Sequence, residues 1–160
     1  MSRVEIHDGI ARLARSVFPF HDEVAGHYRY YNGETALELV KSGPSEWTYR
    51  REERGNFYVE ATSNTLLGVE LVMLLLVGEV WRRREGLEQI DYAAADRRSG
   101  VSAEEDERGV WTFCWHGADG AVTVSGLDTL AAVPFERLAG KPVDGLVSSY
   151  RDPQGRPLLS

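Results

Sequence analysis

The chain has 160 residues, 42% of them hydrophobic and 27% charged, and a net charge of −7. That is enough length for one real core, so we expect one domain over residues 1–160, and the balance argues against disorder. It also argues against nucleic acid or an anionic membrane surface as partner, since each requires clustered Lys and Arg, and the chain offers little beyond short runs such as Arg82–Arg84 and Arg97–Arg98.

The first stretch, MSRVEIHDGIARLARS, has neither an apolar signal core nor a cleavage motif, which places the protein in the cytoplasm. The single cysteine, Cys114, permits no internal disulfide and fits that reducing compartment. Val4 to Val17 carries Ile6, Ile10, Leu13, Ala14 and Val17 at helical spacing, ended by Phe18-Pro19. His21 to Ala25 reads as a polar connector. His27 to Tyr31 is rich in β-formers, Asn32-Gly33 is a two-residue hairpin signal, and Glu34 to Val40 alternates with Thr35, Leu37 and Leu39 on one face. Lys41 to Ser45 reads as a loop. Trp47–Arg51 and Phe57–Ala61 form a second hairpin, closed through Glu52-Glu53-Arg54-Gly55, with Trp47 and Tyr49 facing the core.

Thr65 to Arg84 is the central helix. Thr62, Ser63 and Asn64 are each able to cap it. Leu71 to Val77 is an unbroken apolar run, too short for the roughly 20 residues a bilayer demands, so the helix belongs in a core. Leu66, Met73, Leu74, Val77 and Trp81 share one side, with Gly68, Glu79, Arg82 and Arg83 opposite. Arg82, Arg83 and Arg84 meet the negative end of the helix dipole, and Gly86 supplies the stop. Glu70 points into the apolar arc. A buried carboxylate needs a partner or a proton, so we expect an Arg or backbone N–H groups of a neighbouring segment against it.

After Leu87, Gln89 to Ala95 reads as a short strand and the acidic Ser99–Gly109 as a loop. Val110–His116 and Ala121–Ser125 pair across a Gly117–Gly120 turn. Leu127–Val133 reads as a helix capped by Ser125, and Pro142–Tyr150 as a last short helix. The predicted fold is α+β: an antiparallel meander sheet packed on a central apolar helix, with an N-terminal helix and short C-terminal helices.

No catalytic constellation is readable. Cys114 and His116 share a strand face, but no oriented base or oxyanion site accompanies them, so the thiol is expected to be a small core hydrophobe. His7, His21, His27 and His116 lack zinc-ligand spacing, and Gly117 and Gly120 flank a hairpin turn and open no helix. No metal or cofactor is expected. Candidate partner-binding residues are the exposed members of Tyr28, Tyr30, Tyr31 and Trp47, because interface anchors are enriched in Tyr, Trp and Arg. The acidic Glu104, Glu105, Asp106 and Glu107 are a second candidate, as a negative surface for a cationic protein.

Two stretches resemble the family 61 immunity proteins of actinobacterial polymorphic-toxin systems. In TYRREERGNFYVEATSNTLLGVELVMLLLVGEVWRRREGL the matching positions are Arg54, Ala61 with Ser63, Glu70, Gly78, Arg82, Arg84, Gly86 and Leu87. In the tail SSYRDPQGRPLLS they are Ser149, Tyr150, Asp152, Pro153, Gly155, Pro157 and Leu158, and NGETALEL is similar to the family's second strand. The chain departs from the pattern at Leu71, Val72 and Leu159. The resemblance implies an antitoxin that binds and occludes a cognate toxin of the NAD-glycohydrolase type, without enzymatic activity of its own, and monomeric when free. It implies structural roles for Glu70, Gly78, Arg82 and Arg84. The rival readings are a small acidic secretion or folding chaperone, or another protein-binding module, and an enzyme built on Cys114 with a histidine.

Overall fold

The computed structural model describes residues 5–160. Chain order is α1 (Asp8–Val17), β1 (Phe20–Val24), β2 (His27–Tyr31), β3 (Thr35–Gly43), β4 (Glu46–Glu53), β5 (Asn56–Ser63), α2 (Leu66–Arg84), β6 (Ser102–Glu105), β7 (Trp111–Gly117), β8 (Gly120–Leu127), α3 (Thr129–Leu138) and α4 (Val143–Arg151). The strands form one sheet in the order β1-β2-β3-β4-β5-β8-β7-β6, antiparallel at every junction. Two meanders are thus joined side by side, and the α+β class read from the sequence holds.

The junction between the meanders is narrow. β5 meets β8 through Thr62↔Ser125 and Ser63↔Val124 alone. Asn64 closes it further: its Nδ2 donates to the Ala121 carbonyl at 2.8 Å and its Oδ1 accepts from the Thr123 N–H at 2.8 Å. Toward Asn56, β5 diverges from β8, and the sheet forks.

α2 lies on the inner face against β3, β4, β5 and β8. Its apolar run is buried except near Leu75 and Leu76, as its sequence demands. The cap is Thr65, whose Oγ1 accepts the Gly68 N–H at 3.1 Å. The three expected candidates are occupied elsewhere: Thr62 and Ser63 belong to β5, and Asn64 bridges to β8. Gly86 adopts φ +73° and ends the helix as expected.

Glu70 is fully buried, and its Oε1 accepts the His7 N–H at 3.1 Å. The expected backbone partner is therefore the residue that caps α1, where His7 Nδ1 accepts the Gly9 N–H. Arg82 departs from its expected place on the polar side. It is 1% exposed, and its guanidinium donates to four carbonyls: Glu88 (2.8 Å), Tyr150 (2.9 Å), Asp152 (2.6 Å) and Pro153 (3.0 Å). Gly68, expected on the same polar side, is also buried. Gly78 lets the Tyr150 ring lie against the helix, since a Cβ there would stand 2.5 Å from that ring. Arg84 is exposed and reaches only the Ser16 carbonyl, at 3.4 Å.

Several local readings are corrected. α1 starts at Asp8, and Val4 lies outside the described residues. His21 to Ala25 is no connector: Phe20–Val24 is an edge strand, tied to α1 where Arg15 Nη2 donates to Glu23 at 2.7 Å. β3 runs on to Gly43, through a bulge after Lys41. The tight two-residue turn is Arg54-Gly55, both with positive φ, whereas Asn32 spans a wider turn with its side chain accepting from Glu34 and Thr35. Gln89 to Ala95 holds a 3-10 turn at Tyr92–Ala94 in place of a strand. The acidic loop contains β6. α3 is capped by Asp128, not Ser125, and runs through Pro134 to Leu138.

Candidate functional site

The predicted aromatic anchors separate by face. Tyr28, Tyr30 and Trp47 point inward and are buried in the core, so they offer nothing to a partner. Tyr31 is half-buried on the opposite, uncovered face of the sheet. Glu104 and Glu105 are exposed on the edge strand β6, and Asp106 and Glu107 in the turn beyond it. Asp106 folds that turn by accepting the Val110 and Arg108 N–H groups, which hold its carboxyl below the usual carboxylate range. From β2 to β6 there are six strand steps, roughly 29 Å at the usual spacing, so Tyr31 and the acidic turn do not form one focus.

What surrounds Tyr31 was missed in the sequence. The register aligns Asp22, Arg29, Glu38, Arg50 and Val59 across β1 to β5. One row along, it aligns Phe20, Tyr31, Ala36, Glu52 and Phe57. Glu38 sits at the centre and is only 2% exposed although no helix covers it. Two arginines and a histidine cover it: Arg50 Nε bonds its Oε2, Arg29 Nε lies 3.7 Å and His27 Nε2 3.3 Å from its Oε1. The same arginines reach over the aromatic row. Arg29 lies 4.8 Å from the centre of the Tyr31 ring and pairs with Glu52 at 3.2 Å, while Arg50 lies 4.8 Å from the centre of Phe57. Phe20 stacks on Tyr31 at 5.5 Å.

The result is a rigid patch of guanidinium and ring surfaces with Phe20, Phe57, Val24 and Val59 left open to solvent. Each ring–cation contact adds about 0.5–1 kcal/mol when exposed. Alternate residues of NGETALEL and of Glu46–Glu53 already put Glu38 and Arg50 on the wet face. Only the register shows that they oppose each other.

A second feature lies on the inner side of the fork. An open cleft of about 750 Å³ runs between the diverging β5 and β8 and the helices α2 and α3. Arg51 crosses its floor, paired with Glu53 and, at 2.9 Å, with Glu60. Glu79 borders it, with Oε1 accepting from Tyr92 at 2.8 Å and Oε2 buried without a hydrogen-bond partner. Leu76 and Leu130 form an apolar rim.

Reactive chemistry finds little footing. Cys114 is half-buried on the open side of β7, away from Phe113 and Trp115, so it is not the core residue expected; its Sγ accepts from Thr123 Oγ1 at 3.6 Å. His116 beside it is exposed. Among the described residues, no group of three or more His, Cys, Asp or Glu is placed to hold a metal. No helix among them is long and apolar enough to cross a membrane.

The comparisons with known proteins agree with this picture. A search of curated proteins finds no match. Among solved structures, Rv3902c from M. tuberculosis superposes with a TM-score of 0.71 over 98% of this chain and 95% of its own, at 14% identity, which shows a shared fold. The family model for immunity protein 61 matches residues 10–158. With Gly78, Arg82 and the C-terminal tail from Tyr150 locked together, and the match running through all of them, the chain belongs to the immunity protein 61 family.

Proposed function

We propose that this protein neutralises a cognate toxin of the NAD-glycohydrolase type by binding over its substrate cleft, and that the open face of β1–β5 is the contact surface. The observation that carries the choice of surface is the Arg29–Glu38–Arg50 row with its rings, Phe20, Tyr31 and Phe57. Arginine and aromatic side chains dominate interface energetics, and here they are held in place before binding. Occlusion requires affinity and no bond-making, so the protein acts without cofactor or metal.

The array spans roughly 19 Å by 13 Å, less than the ~800 Å² a standard interface takes from each partner, so it forms the centre of the contact and not its whole. A cleft that holds a dinucleotide pyrophosphate presents cationic groups, and a chain of net charge −7 is drawn to it. Glu104–Glu107, far along the sheet, acts at most as a rim. The protein works in the cytoplasm, as one domain and a monomer until the toxin arrives.

The test is co-expression with the toxin encoded beside it, reading growth and intracellular NAD. Rescue by the wild type, lost in a Tyr31→Ala, Phe57→Ala double variant that keeps its melting temperature, is the expected result. Rescue undiminished by those changes would refute the chosen surface, and failure of the wild type to bind or rescue would refute antitoxin action. A stable homodimer in sedimentation would favour the chaperone reading.

A further inference from the structure

We infer that the forked cleft is a second docking place, shaped for a basic segment of the partner protein: an Arg or Lys side chain flanked by aliphatic residues. The inference takes the partner's identity from the toxin-binding reading above, but its own test does not need the toxin.

The cleft exists because β5 and β8 hold together only at Thr62 and Ser63 and part beyond them. Its volume, about 750 Å³, lies within the range of sites that bury a ligand of a few residues. Its charge is one-sided. Four carboxylates line it, Glu53, Glu60, Glu79 and Asp128, against two guanidiniums, Arg51 and Arg84. Arg51 is already held between Glu53 and Glu60, which keep its proton bound more firmly than usual, Glu60 foremost. It is therefore neutralised within the lining, and Arg84 alone does not offset Glu79 and Asp128. Glu79 does the reverse: its Oε1 accepts from Tyr92, and among the described residues no Lys or Arg pairs with it, so it adds unbalanced negative charge to the lining.

The rim supplies the apolar half. Leu130 is 87% exposed at the start of α3, Leu76 is 38% exposed on α2, and Val80 and Leu75 lie beneath them. Isolated surface leucines need no explanation, but these two line the same cleft as Glu79. An anionic ligand meets the wrong sign here, and a purely apolar one leaves Glu79 unanswered.

The experiment is a nuclear magnetic resonance titration of the intact protein with two synthetic peptides, acetyl-Leu-Arg-Leu-Leu-amide and its counterpart with Glu replacing Arg. The Arg peptide should shift the amides of Leu76, Val80 and Leu130, and the Glu peptide should not. Glu79→Gln, which keeps the acceptor for Tyr92, should weaken the Arg peptide about tenfold, as should the exposed change Leu130→Ala. Equal shifts with the Glu peptide, shifts confined to other surfaces, affinity indifferent to both substitutions, or growth of a dimer with concentration would each overturn the proposal. None of these results bears on whether the toxin is neutralised, so the two readings fail separately.

Discussion

The two faces of the sheet use the same charged chemistry toward opposite ends. On the inner face, Arg82 is buried beneath helices and spends its whole guanidinium on main-chain carbonyls, fastening the C-terminal tail to α2. On the outer face, Arg29 and Arg50 close over Glu38 but keep a flank against rings that solvent still reaches. The first arrangement holds the fold together, and the second presents a surface. Burial of a charged residue alone does not tell them apart; what matters is whether its partners are backbone groups of a distant segment or side chains of neighbouring strands.

This contrast can be broken by substitution. Arg82→Ala strands four carbonyls in a buried site and should remove about 3 kcal/mol or more of stability, read as a lower denaturant midpoint. Glu70→Ala removes the acceptor for His7 and should cost about 1–3 kcal/mol, with toxin affinity measured below the onset of melting unchanged. Affinity lost at unaltered melting temperature would move Glu70 from the first class to the second. Phe57→Ala, on the open face, should shift stability by no more than about 1 kcal/mol while weakening toxin binding in calorimetry.

The smallest effect appears only in acid. The Arg156 and Gln154 N–H groups hold the Asp152 carboxyl below its ordinary value of 3.8. A depressed acid contributes stability that is complete above the unfolded value and fades as pH falls through the folded one. Asp152→Asn should therefore flatten the acid end of the stability curve, below about pH 4, and leave pH 7 behaviour to the tail's other bonds. An unchanged acid limb would detach Asp152 from the tail's fastening.

How much of this was readable in the chain follows from where each signal comes from. α2, the β4–β5 hairpin and the burial of Glu70 rest on local periodicity, and each was legible. β1 and β6 were not, because edge strands such as FHDEV and SAEE bury almost nothing and show no alternation. Arg82 read as a solvated helix end because three of its four partners lie about seventy residues downstream. Tyr28, Tyr30 and Trp47 were grouped with Tyr31 because composition does not distinguish faces. The Glu38 row needed the register of five strands. Buried residues that carry the family resemblance, such as Ala61, Ser63, Glu70, Gly78, Arg82, Ser149 and Tyr150, belong to the inner layer, so the family could be read without the outer face.

The fork has one more consequence. Eight strands are stitched along a seam two residue pairs wide, with Asn64 as its only extra thread. α2 lies across that seam as a splint, packed on β3, β4 and β5 on one side and on β8 on the other.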